Sequence, residues 1–430
     1  MAQLKCGAAE RVITPSLEHE YNIPGYYHVR IAEDVLSDIQ TNVAVIDDGE
    51  KKVVLVSLDL LDARETLVHR MRKRINEKFG IDGENVLVAA THAHTGSIAS
   101  EDNTVISRRE ADIVIDLTLD AIEEAISKMV PVTVSFAAKE FENLNFNRVF
   151  KMKDGCYRSN PRGERIKEIV CESDPFDKAL HLLCFKDENG KVIAQAINLA
   201  CHADAVGLNV YCADYPGEVR RLTKEKFGND TVTVFLLGCC GNVVNESIED
   251  IYTNNRRGYK GTGQNVFNAL CELYGELKTY DDPALESVSK KFLEKRRQPT
   301  DEEIANAKAV MSTPMSRFID VYYAKEVLYM KKNYKECELL EIQAVRIGDC
   351  FITTVPCEAW STIGLDIKKG SPHSDVMVTS QANGFHSYVA TGPAYYGGIY
   401  EAKLTNKRCF GPAAAQHFVD ITVDLLKKFK

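Results

Sequence analysis

The stretch Val86-Leu-Val-Ala-Ala-Thr-His-Ala-His-Thr-Gly96 is the starting point, because an apolar run there ends abruptly in two histidines and a glycine. A run of this kind is typical of a buried strand. Side chains alternate along a strand, so His92 and His94 are predicted to project to the same side. Two histidines in this arrangement fit a metal site or a proton-transfer site. The alternative is a hydrogen-bonded pair at a strand end.

Composition narrows the class of protein. The 430 residues are 45% hydrophobic and 27% charged, which is typical of a globular protein and excludes a disordered chain. The net charge is -9 with both signs interspersed, which argues against a nucleic-acid partner or an anionic membrane surface. No run approaches the ~18 apolar residues of a membrane span, so no stable membrane insertion is expected. A small-molecule substrate is favoured, and a homodimer is the default expectation.

The cysteines and the first residues predict a cytoplasmic location. The 13 cysteines are odd in number, scattered from Cys6 to Cys409, and form no Cys-x-x-Cys pair. They are interpreted mainly as buried thiols rather than as a disulfide framework or a zinc knuckle. The opening Met-Ala-Gln-Leu-Lys-Cys lacks the charged segment and apolar run of a secretion signal.

The order of apolar runs predicts an α/β (mixed α+β) fold, with mixed sheets flanked by helices. Residues 42–59 form a predicted hairpin, a helix follows over 62–79, and a strand over 85–90 comes next. This order favours a crossover unit and at least a partly parallel sheet. A final helix is predicted from Pro412. No internal repeat or linker is visible, so a single domain over residues 1–430 is expected.

Four predicted strands end in small or chemically reactive residues: His92 with His94, His202, Gly241-Asn242, and Glu358. Ligands gather at the carboxyl ends of strands in α/β sheets, so one shared site is predicted. Two or three histidines and a carboxylate suit a catalytic zinc ion. The alternatives are a core histidine satisfied by a backbone carbonyl for His202 and a helix N-terminal acid for Glu358. No His-Glu-x-x-His helix is present.

Eight short blocks, spread over most of the chain, occur together in a fixed order. They are Gly7-Ala8 with Ile13-Thr-Pro15, Thr91-His-Ala-His-Thr-Gly96, Asn147-Arg148, Ala200-Cys-His202, Gly241-Asn242, Pro356-Cys-Glu358, Tyr388-Val-Ala-Thr391 and Tyr400-Glu-Ala402. In this order the blocks resemble the neutral/alkaline non-lysosomal ceramidase family. Each block alone is weak evidence for the family, but the ordered set is specific to it, particularly the spacing of Tyr388 and Tyr400.

The resemblance implies a zinc-dependent hydrolase that cleaves an amide (N-acyl) bond. It assigns four ligands to a single Zn²⁺: His92, His202, Glu358 and Tyr388. It places three residues around the scissile amide: His94, Arg148 and Tyr400. Zinc-activated water is the implied nucleophile, and His94 is the candidate proton donor to the leaving amine. From the residues alone, Tyr395 and Tyr396 are equally good candidates for a tyrosine ligand.

The chain also departs from the family pattern. It is shorter than true ceramidases, and with its final helix at the end of the sequence it is expected to lack their C-terminal immunoglobulin-like domain. Val244 stands where the family has a serine, and Ala203-Asp204 replaces the threonine that commonly follows the second histidine motif. These departures favour a small soluble amide over ceramide, with specificity in the aperiodic loops 141–175 and 383–398. The alternatives are hydrolysis or lysis of a C–O bond in a sugar-like or lactone metabolite, and a catalytically silent metabolite-binding scaffold.

Overall fold

Three mixed β-sheets form the framework of the computed structural model, which describes residues 3–19, 21–100, 104–281 and 284–429. Over these ranges the strands are β1 (Lys5–Val12), β2 (Asp34–Val35), β3 (Gln40–Asp47), β4 (Lys52–Leu58), β5 (Val86–Ala90), β6 (Val130–Pro131), β7 (Thr133–Glu140), β8 (Phe146–Asn147), β9 (Val149–Met152), β10 (Tyr157–Ser159), β11 (Ile169–Glu172), β12 (Ala179–Lys186), β13 (Val192–Leu199), β14 (Val210–Tyr211), β15 (Val232–Leu237), β16 (Val243–Val244), β17 (Lys278–Thr279), β18 (Leu285–Lys295), β19 (Cys337–Ile347), β20 (Cys350–Val355), β21 (Glu358–Ala359), β22 (Asp375–Ser380) and β23 (Tyr388–Val389).

The helices of the same ranges are α1 (Glu65–Phe79), α2 (Val105–Ser127), α3 (Asp214–Phe227), α4 (Ile248–Thr253), α5 (Gly258–Tyr274), α6 (Asp301–Ser312), α7 (Phe318–Lys332), α8 (Ser361–Gly370), α9 (Gly392–Tyr396) and α10 (Pro412–Leu426). Short 3₁₀ turns lie at Gly83–Asn85, Ile98–Ser100, Gly163–Glu168 and Tyr400–Ala402. Within the described part of the chain, no helix is both long enough and apolar enough to cross a membrane.

The three large sheets share one local topology. Their strand orders are β5-β4-β3-β1-β6, β15-β13-β12-β7-β17 and β18-β19-β20-β22. Each contains one parallel pair whose strands are joined through a helix: β4-α1-β5, β13-α3-β15 and β20-α8-β22. The crossover unit predicted around α1 is therefore confirmed. The same arrangement occurs twice more, although the sequence shows no repeat.

The sheets share an apolar core. Alternate side chains of the strands point into it, including Leu55 and Leu87 from the first sheet, Val234 from the second and Ile352 from the third. The opposite faces pack against helices: α1 and α2 on the first sheet, α3 and α5 on the second, and α8 and α10 on the third. Strands buried on both faces read as continuous apolar runs. The predicted mixed α/β fold with flanking helices is confirmed.

Most predicted boundaries lie close to the observed ones. The helix predicted over 62–79 begins at Glu65 and ends at Phe79, and Gly80 then takes a left-handed φ of 68°. The final helix begins at Pro412, as predicted. The aperiodic stretch 141–175 differs, because it contains four short strands, three of which form the sheet β10-β9-β11. Strands of two to four residues are too short to give a visible alternation.

The parallel pairs position the candidate site. His92 comes just after β5, His202 just after β13, and Glu358 just after β20. Each of the three sheets therefore supplies residues from a strand end to one common region, as the strand-end argument predicts.

Candidate metal centre

His92 and His94 meet, but not as neighbours on a strand. β5 ends at Ala90, and His92 has a φ of 63°, a left-handed conformation that is uncommon outside glycine. The Nε2 atoms of His92 and His94 lie 3.2 Å apart. Both rings therefore point to one side, as expected, but a left-handed turn rather than strand alternation brings them together. Backbone strain of this kind clusters at functional sites.

His202 joins this pair from the end of β13. Its Nδ1–H donates to the carbonyl oxygens of Cys240 at 2.8 Å and Val243 at 3.0 Å. His92 donates in the same way from Nδ1 to the carbonyl oxygen of Leu61 at 2.6 Å. In its neutral form each histidine therefore presents an unprotonated Nε2 to the cluster, which is how metal-ligating histidines are oriented. The alternative, in which His202 is a core histidine hydrogen-bonded to a backbone carbonyl, explains its Nδ1 but not its Nε2.

Glu358 brings a carboxylate to the two histidines. Its Oε2 lies 3.4 Å from His92 Nε2 and 3.6 Å from His202 Nε2. This buried oxygen has no hydrogen-bond partner among the described residues. Glu358 lies in β21, before α8 begins at Ser361, so a capping role at the helix N-terminus does not explain its position.

Tyr388 reaches the same cluster through a short strand pairing. β21 and β23 are parallel, and their register sets Glu358 opposite Tyr388. The Tyr388 hydroxyl lies 3.5 Å from His202 Nε2. The other two tyrosines that the sequence leaves open, Tyr395 and Tyr396, lie on α9, and Tyr396 is 80% exposed. Of the three tyrosines, Tyr388 is the one beside the histidines.

The cluster fits a metal ion. The ligand nitrogens of His92, His94 and His202 lie within 4.8 Å of one another, and all three side chains are buried. The unpartnered Oε2 of Glu358 adds an anionic donor to this set. Imidazole nitrogens with one carboxylate oxygen suit a divalent ion such as Zn²⁺. His94 also lies within reach of such an ion, whereas the resemblance assigns it to the substrate.

Burial and charge set the protonation states. Burial, together with nearby Arg148, lowers the pKa of His202 to about 4, and burial lowers the pKa of His94 to about 3. Burial also opposes the charged form of His92, but the Glu358 carboxylate outweighs it and raises the His92 pKa. Burial favours neutral Glu358, but His92 and His202 hold its pKa well below the usual range. A neutral His202 and an ionised Glu358 are the forms that bind metal.

Arg148 and Tyr400 lie beside Tyr388. The guanidinium carbon of Arg148 is 5.4 Å from the centre of the Tyr388 ring and 5.7 Å from that of Tyr400. Its Nη2 donates to the carbonyl oxygen of Gly241 at 2.7 Å and pairs with Glu401 Oε1 at 3.2 Å. Arg148 is therefore a fixed, fully buried cation next to the cluster.

A cavity of about 430 Å³ opens onto the cluster, a size typical of a small-molecule site. Its lining includes every predicted site residue except His202: His92, His94, Arg148, Glu358, Tyr388 and Tyr400. The segment 22–27 forms one wall, where Gly25 has a φ of 111° and lies against His94. The Tyr26 hydroxyl donates to Asp204, whose Oδ1 is 3.8 Å from His94 Nδ1.

Residues 7–209 match the sequence model of the family described as neutral/alkaline non-lysosomal ceramidase, N-terminal. The predicted resemblance to this family is confirmed. The fold is similar to that of neutral ceramidase from Pseudomonas aeruginosa, with a TM-score of 0.74 at 19% identity, over 100% of this chain and 75% of that one. It is also similar to a ceramidase complexed with C2, with a TM-score of 0.73 at 18% identity, over 100% and 76% of the two chains. No curated protein matches the chain in sequence.

The family match covers residues 7–209, and the similarity to the two solved ceramidase structures extends over the whole chain. The Gly241-Asn242 block has a scaffolding role in this ceramidase-like site. Gly241 donates its N–H to the carbonyl oxygen of Ala359 at 2.8 Å, and Asn242 accepts from the N–H of Ser361 at 2.9 Å. These contacts fix the segment around Glu358. Val244 lies in β16 and is not among the residues that line the cavity.

Sequence reasoning misses several residues of the ceramidase-like site. Glu401 neutralises Arg148, and its position next to Tyr400 in a quoted block is the signal that could have found it. Asp59, at the end of β4, pairs with Arg220 and accepts from the Thr91 hydroxyl at 3.2 Å. Arg408, which also lines the cavity, lies in no recognised block and has no sequence signal.

Proposed function

We propose that this ceramidase-like protein is a zinc-dependent hydrolase that cleaves the amide bond of a small N-acyl compound. The observation that carries the proposal is the buried Oε2 of Glu358. It has no hydrogen-bond partner among the described residues and lies within 3.6 Å of the Nε2 atoms of His92 and His202. A buried carboxylate oxygen without a hydrogen bond is costly, and a bound cation would offset that cost.

Zinc held by His92, His202, Glu358 and Tyr388 would supply activated water near neutral pH and polarise the amide carbonyl. His94 has the position for proton transfer. It is buried beside His92, and its Nδ1 has no hydrogen-bond partner among the described residues. His94 can therefore take the proton of the attacking water and deliver it to the leaving amine nitrogen. Water and amide are converted to a carboxylic acid and an amine.

Arg148 and Tyr400 supply donors for the negative charge that develops on the carbonyl oxygen. Arg148 is held in place by Glu401 and by the Gly241 carbonyl. Burial raises the pKa of Tyr400, so its hydroxyl stays protonated and able to donate. Each well-placed donor of this kind contributes about 3 kcal/mol to transition-state stabilisation.

The size and lining of the cavity support a small substrate. Its volume of about 430 Å³ and its charged and tyrosine side chains favour a compact polar molecule over one with two long acyl chains. The alternative of a silent scaffold rested on Val244, whose place in β16 lies outside the cavity lining. Hydrolysis or lysis of a C–O bond in a sugar-like or lactone metabolite is the alternative that a substrate panel tests.

The decisive experiment joins metal analysis to a substrate panel. Wild-type protein, His92→Ala and the control His19→Ala are purified, and their zinc content is measured. His19 is a suitable control because it is exposed and does not line the cavity. Wild type and the control are expected to hold about one zinc per chain and to hydrolyse short N-acyl compounds, whereas His92→Ala does neither. Wild-type protein without stoichiometric zinc would overturn the metal site. Turnover of lactones or glycosides alone would reject amide hydrolysis.

We also propose a cytoplasmic location. All 13 cysteines are free thiols, and Cys156 and Cys171 are exposed. Exposed free thiols are typical of a reducing compartment. Fluorescence microscopy or fractionation of the producing cell tests this location.

A further inference from the structure

Arg408 is a buried cation without a carboxylate partner in the described part of the chain. Its side chain is only 7% exposed and lines the same cavity as His92 and Glu358. One terminal nitrogen, Nη1, donates to the carbonyl oxygens of Tyr400 and Lys403, and the Nε has no hydrogen-bond partner among the residues that the structure describes. No carboxylate oxygen of the described residues comes within ion-pair distance of it.

Most other buried arginines are neutralised. Arg72 pairs with Glu341 at 2.6 Å, Arg148 with Glu401 at 3.2 Å, and Arg296 with Glu338 at 2.6 Å. Arg220 pairs with Asp59 in the same way. Arg30 is also buried and has no ion pair with the described residues, but it donates to three backbone carbonyl oxygens and does not line the cavity. Arg408 is therefore unusual in facing a cavity with an unpaired charge.

Aromatic rings stabilise this charge only in part. The guanidinium carbon of Arg408 lies 5.0 Å from the centre of the Tyr388 ring and 5.8 Å from that of Tyr400. The side chain of Tyr27 also lies beside the guanidinium. Cation–π contacts are individually weak and do not offset the cost of burying an unpaired ion. The remaining positive charge is available to an anionic ligand.

The cavity is also basic as a whole. Its lining has five basic side chains besides the histidines: Arg64, Arg148, Arg162, Lys407 and Arg408. Arg64 and Arg148 pair with Asp62 and Glu401, which lie outside the lining. The lining has two acidic side chains, Asp204 and Glu358. Lys407 and Arg162 are exposed, so they extend the positive charge toward solvent. This balance is opposite to that of the whole chain, whose net charge is -9. A basic pocket in an acidic protein favours an anionic substrate by electrostatic attraction.

Tyr388 fixes where the anion binds relative to the metal centre. Its hydroxyl is 3.5 Å from His202 Nε2, and its ring lies against Arg408. Tyr388 therefore contacts both the cluster and the guanidinium. A small ligand in the cavity can reach both, because His92, Glu358 and Arg408 line it together.

We infer that the substrate is a small amide carrying a carboxylate close to the scissile bond, as in an N-acyl amino acid, and that Arg408 binds this carboxylate. The inference rests on the proposed amide hydrolysis. A guanidinium binds a carboxylate through paired N–H donors, which gives orientation as well as affinity. The carboxylate neutralises the charge that Arg408 leaves unpaired, and its direction presents the amide carbonyl to the metal centre.

Matched substrate pairs test the inference. Each pair consists of an N-acetyl or N-butyryl amino acid and the same compound with its carboxylate converted to a neutral carboxamide. For zinc-loaded wild type, Arg408→Gln, Arg408→Lys and the surface control Arg256→Gln, kcat/KM is measured on both members. Arg256 is exposed and does not line the cavity, so its replacement removes the same charge elsewhere.

Wild type and Arg256→Gln are expected to prefer the anionic member by about tenfold or more, the worth of one charged hydrogen bond. Arg408→Gln loses this preference, and Arg408→Lys keeps an intermediate one because it retains charge without the paired donors. A purely structural arginine would lower both rates and leave the ratio unchanged, which would overturn the inference. So would a wild-type preference for the neutral member.

A binding measurement separates this inference from the proposed hydrolysis. If no amide is turned over, the hydrolase proposal fails, and titration calorimetry with N-acetylglycine and N-acetylglycinamide still tests the anion site. Binding of N-acetylglycine that is at least tenfold weaker in Arg408→Gln than in Arg256→Gln supports the site. Equal binding of the two compounds by the wild type, or equal binding by the two variants, rejects it.

Discussion

Glu358 and Tyr388 face each other in register on the parallel strands β21 and β23, so that one backbone pairing brings a carboxylate and a phenol to the same imidazole. Glu358 Oε2 is 3.6 Å and the Tyr388 hydroxyl 3.5 Å from His202 Nε2. A shift of either strand would move one donor away from the other. The short ladder therefore sets the donor geometry.

Replacing Tyr388 by phenylalanine removes the phenol and keeps the ring that packs against Arg148 and Arg408. We expect Tyr388→Phe to fold normally and to bind zinc about tenfold more weakly, in line with the loss of one interaction at a metal site. Competition with a chromophoric chelator measures the affinity. Tyr396→Phe, at an 80% exposed position, is the control. Unchanged affinity in Tyr388→Phe would remove the tyrosine from the ligand set.

Alanine substitutions of His94 and His202 are predicted to affect different properties, kcat in the first case and zinc binding in the second. His202→Ala is expected to lose bound zinc, because its Nε2 faces the cluster and its Nδ1 is fixed by two carbonyls. His94→Ala is expected to keep zinc and to lose about 100-fold or more in kcat, as for loss of a general acid–base group. Zinc content and kcat are measured on the same preparations. Loss of zinc from His94→Ala would make His94 a ligand.

Gly25 is predicted to be essential for the wall of the cavity beside His94. A Cβ at this position would lie 2.8 Å from His94 Nδ1, and the φ of 111° is unfavourable for alanine. Gly49→Ala is the matched control, because Gly49 has a φ of 92° but nothing within 4 Å of an added Cβ. Both variants are expected to lose about 1–2 kcal/mol of stability through backbone strain. Only Gly25→Ala should also lose activity, and equal activity in the two would contradict the contact.

The buried ion pair of Asp59 with Arg220 is predicted to stabilise the strand end that carries His92. Asp59 also accepts from the Thr91 hydroxyl at 3.2 Å, directly before His92. Asp59→Asn leaves Arg220 unpaired in the interior, which costs about 3–5 kcal/mol. Urea unfolding measures this change. Asp230→Asn, which breaks the exposed pair with Lys191, should change stability by less than about 1 kcal/mol.

Glu65 is predicted to give the protein a pH-dependent stability. Burial alone would raise its pKa, but His386, whose Nε2 is 2.7 Å from Glu65 Oε1, lowers it to about 2. A carboxyl with a depressed folded-state pKa stabilises the protein above its unfolded pKa, near 4.5, and loses that contribution as pH falls toward 2.

Glu65→Gln therefore costs most at pH 6–7, at most about 3 kcal/mol for this shift. The difference in unfolding free energy from the wild type should shrink below about pH 4.5. Urea titrations at pH 6.5, 4.5 and 3.5 measure it. A difference that stays constant across these values would show that Glu65 does not titrate as described.

Much of the fold could be predicted because strands such as β5 and β15 are apolar runs that stop at a polar or small residue. The ends of β5, β13 and β20 pointed to His92, His202 and Glu358 without any structure. The repeated topology could not be predicted from the sequence, because the three units share no recognisable residue pattern. They are alike only in the way their strands pair.

The rest of the site depends on contacts between distant segments. Tyr388 was named only through the family resemblance, because nothing in its local sequence distinguishes it from Tyr395. Its position beside the histidines follows from the register of β21 and β23, which the secondary-structure propensities of the residues do not determine. Arg408 lies in an irregular segment, and it matters because no carboxylate among the described residues pairs with it. The sequence shows that the arginine is present, but it does not show which residues surround it in the fold.

Each of the three β-α-β units contributes to the candidate metal centre, because His92 follows β5, His202 follows β13, and Glu358 and Tyr388 follow β20 and β22. No unit carries more than part of the donor set that the resemblance assigns. A bound ion would therefore join ligands from all three units, and its affinity would depend on whether the three units are packed together. Metal release would then be an early sign of loosened tertiary assembly, before secondary structure is lost.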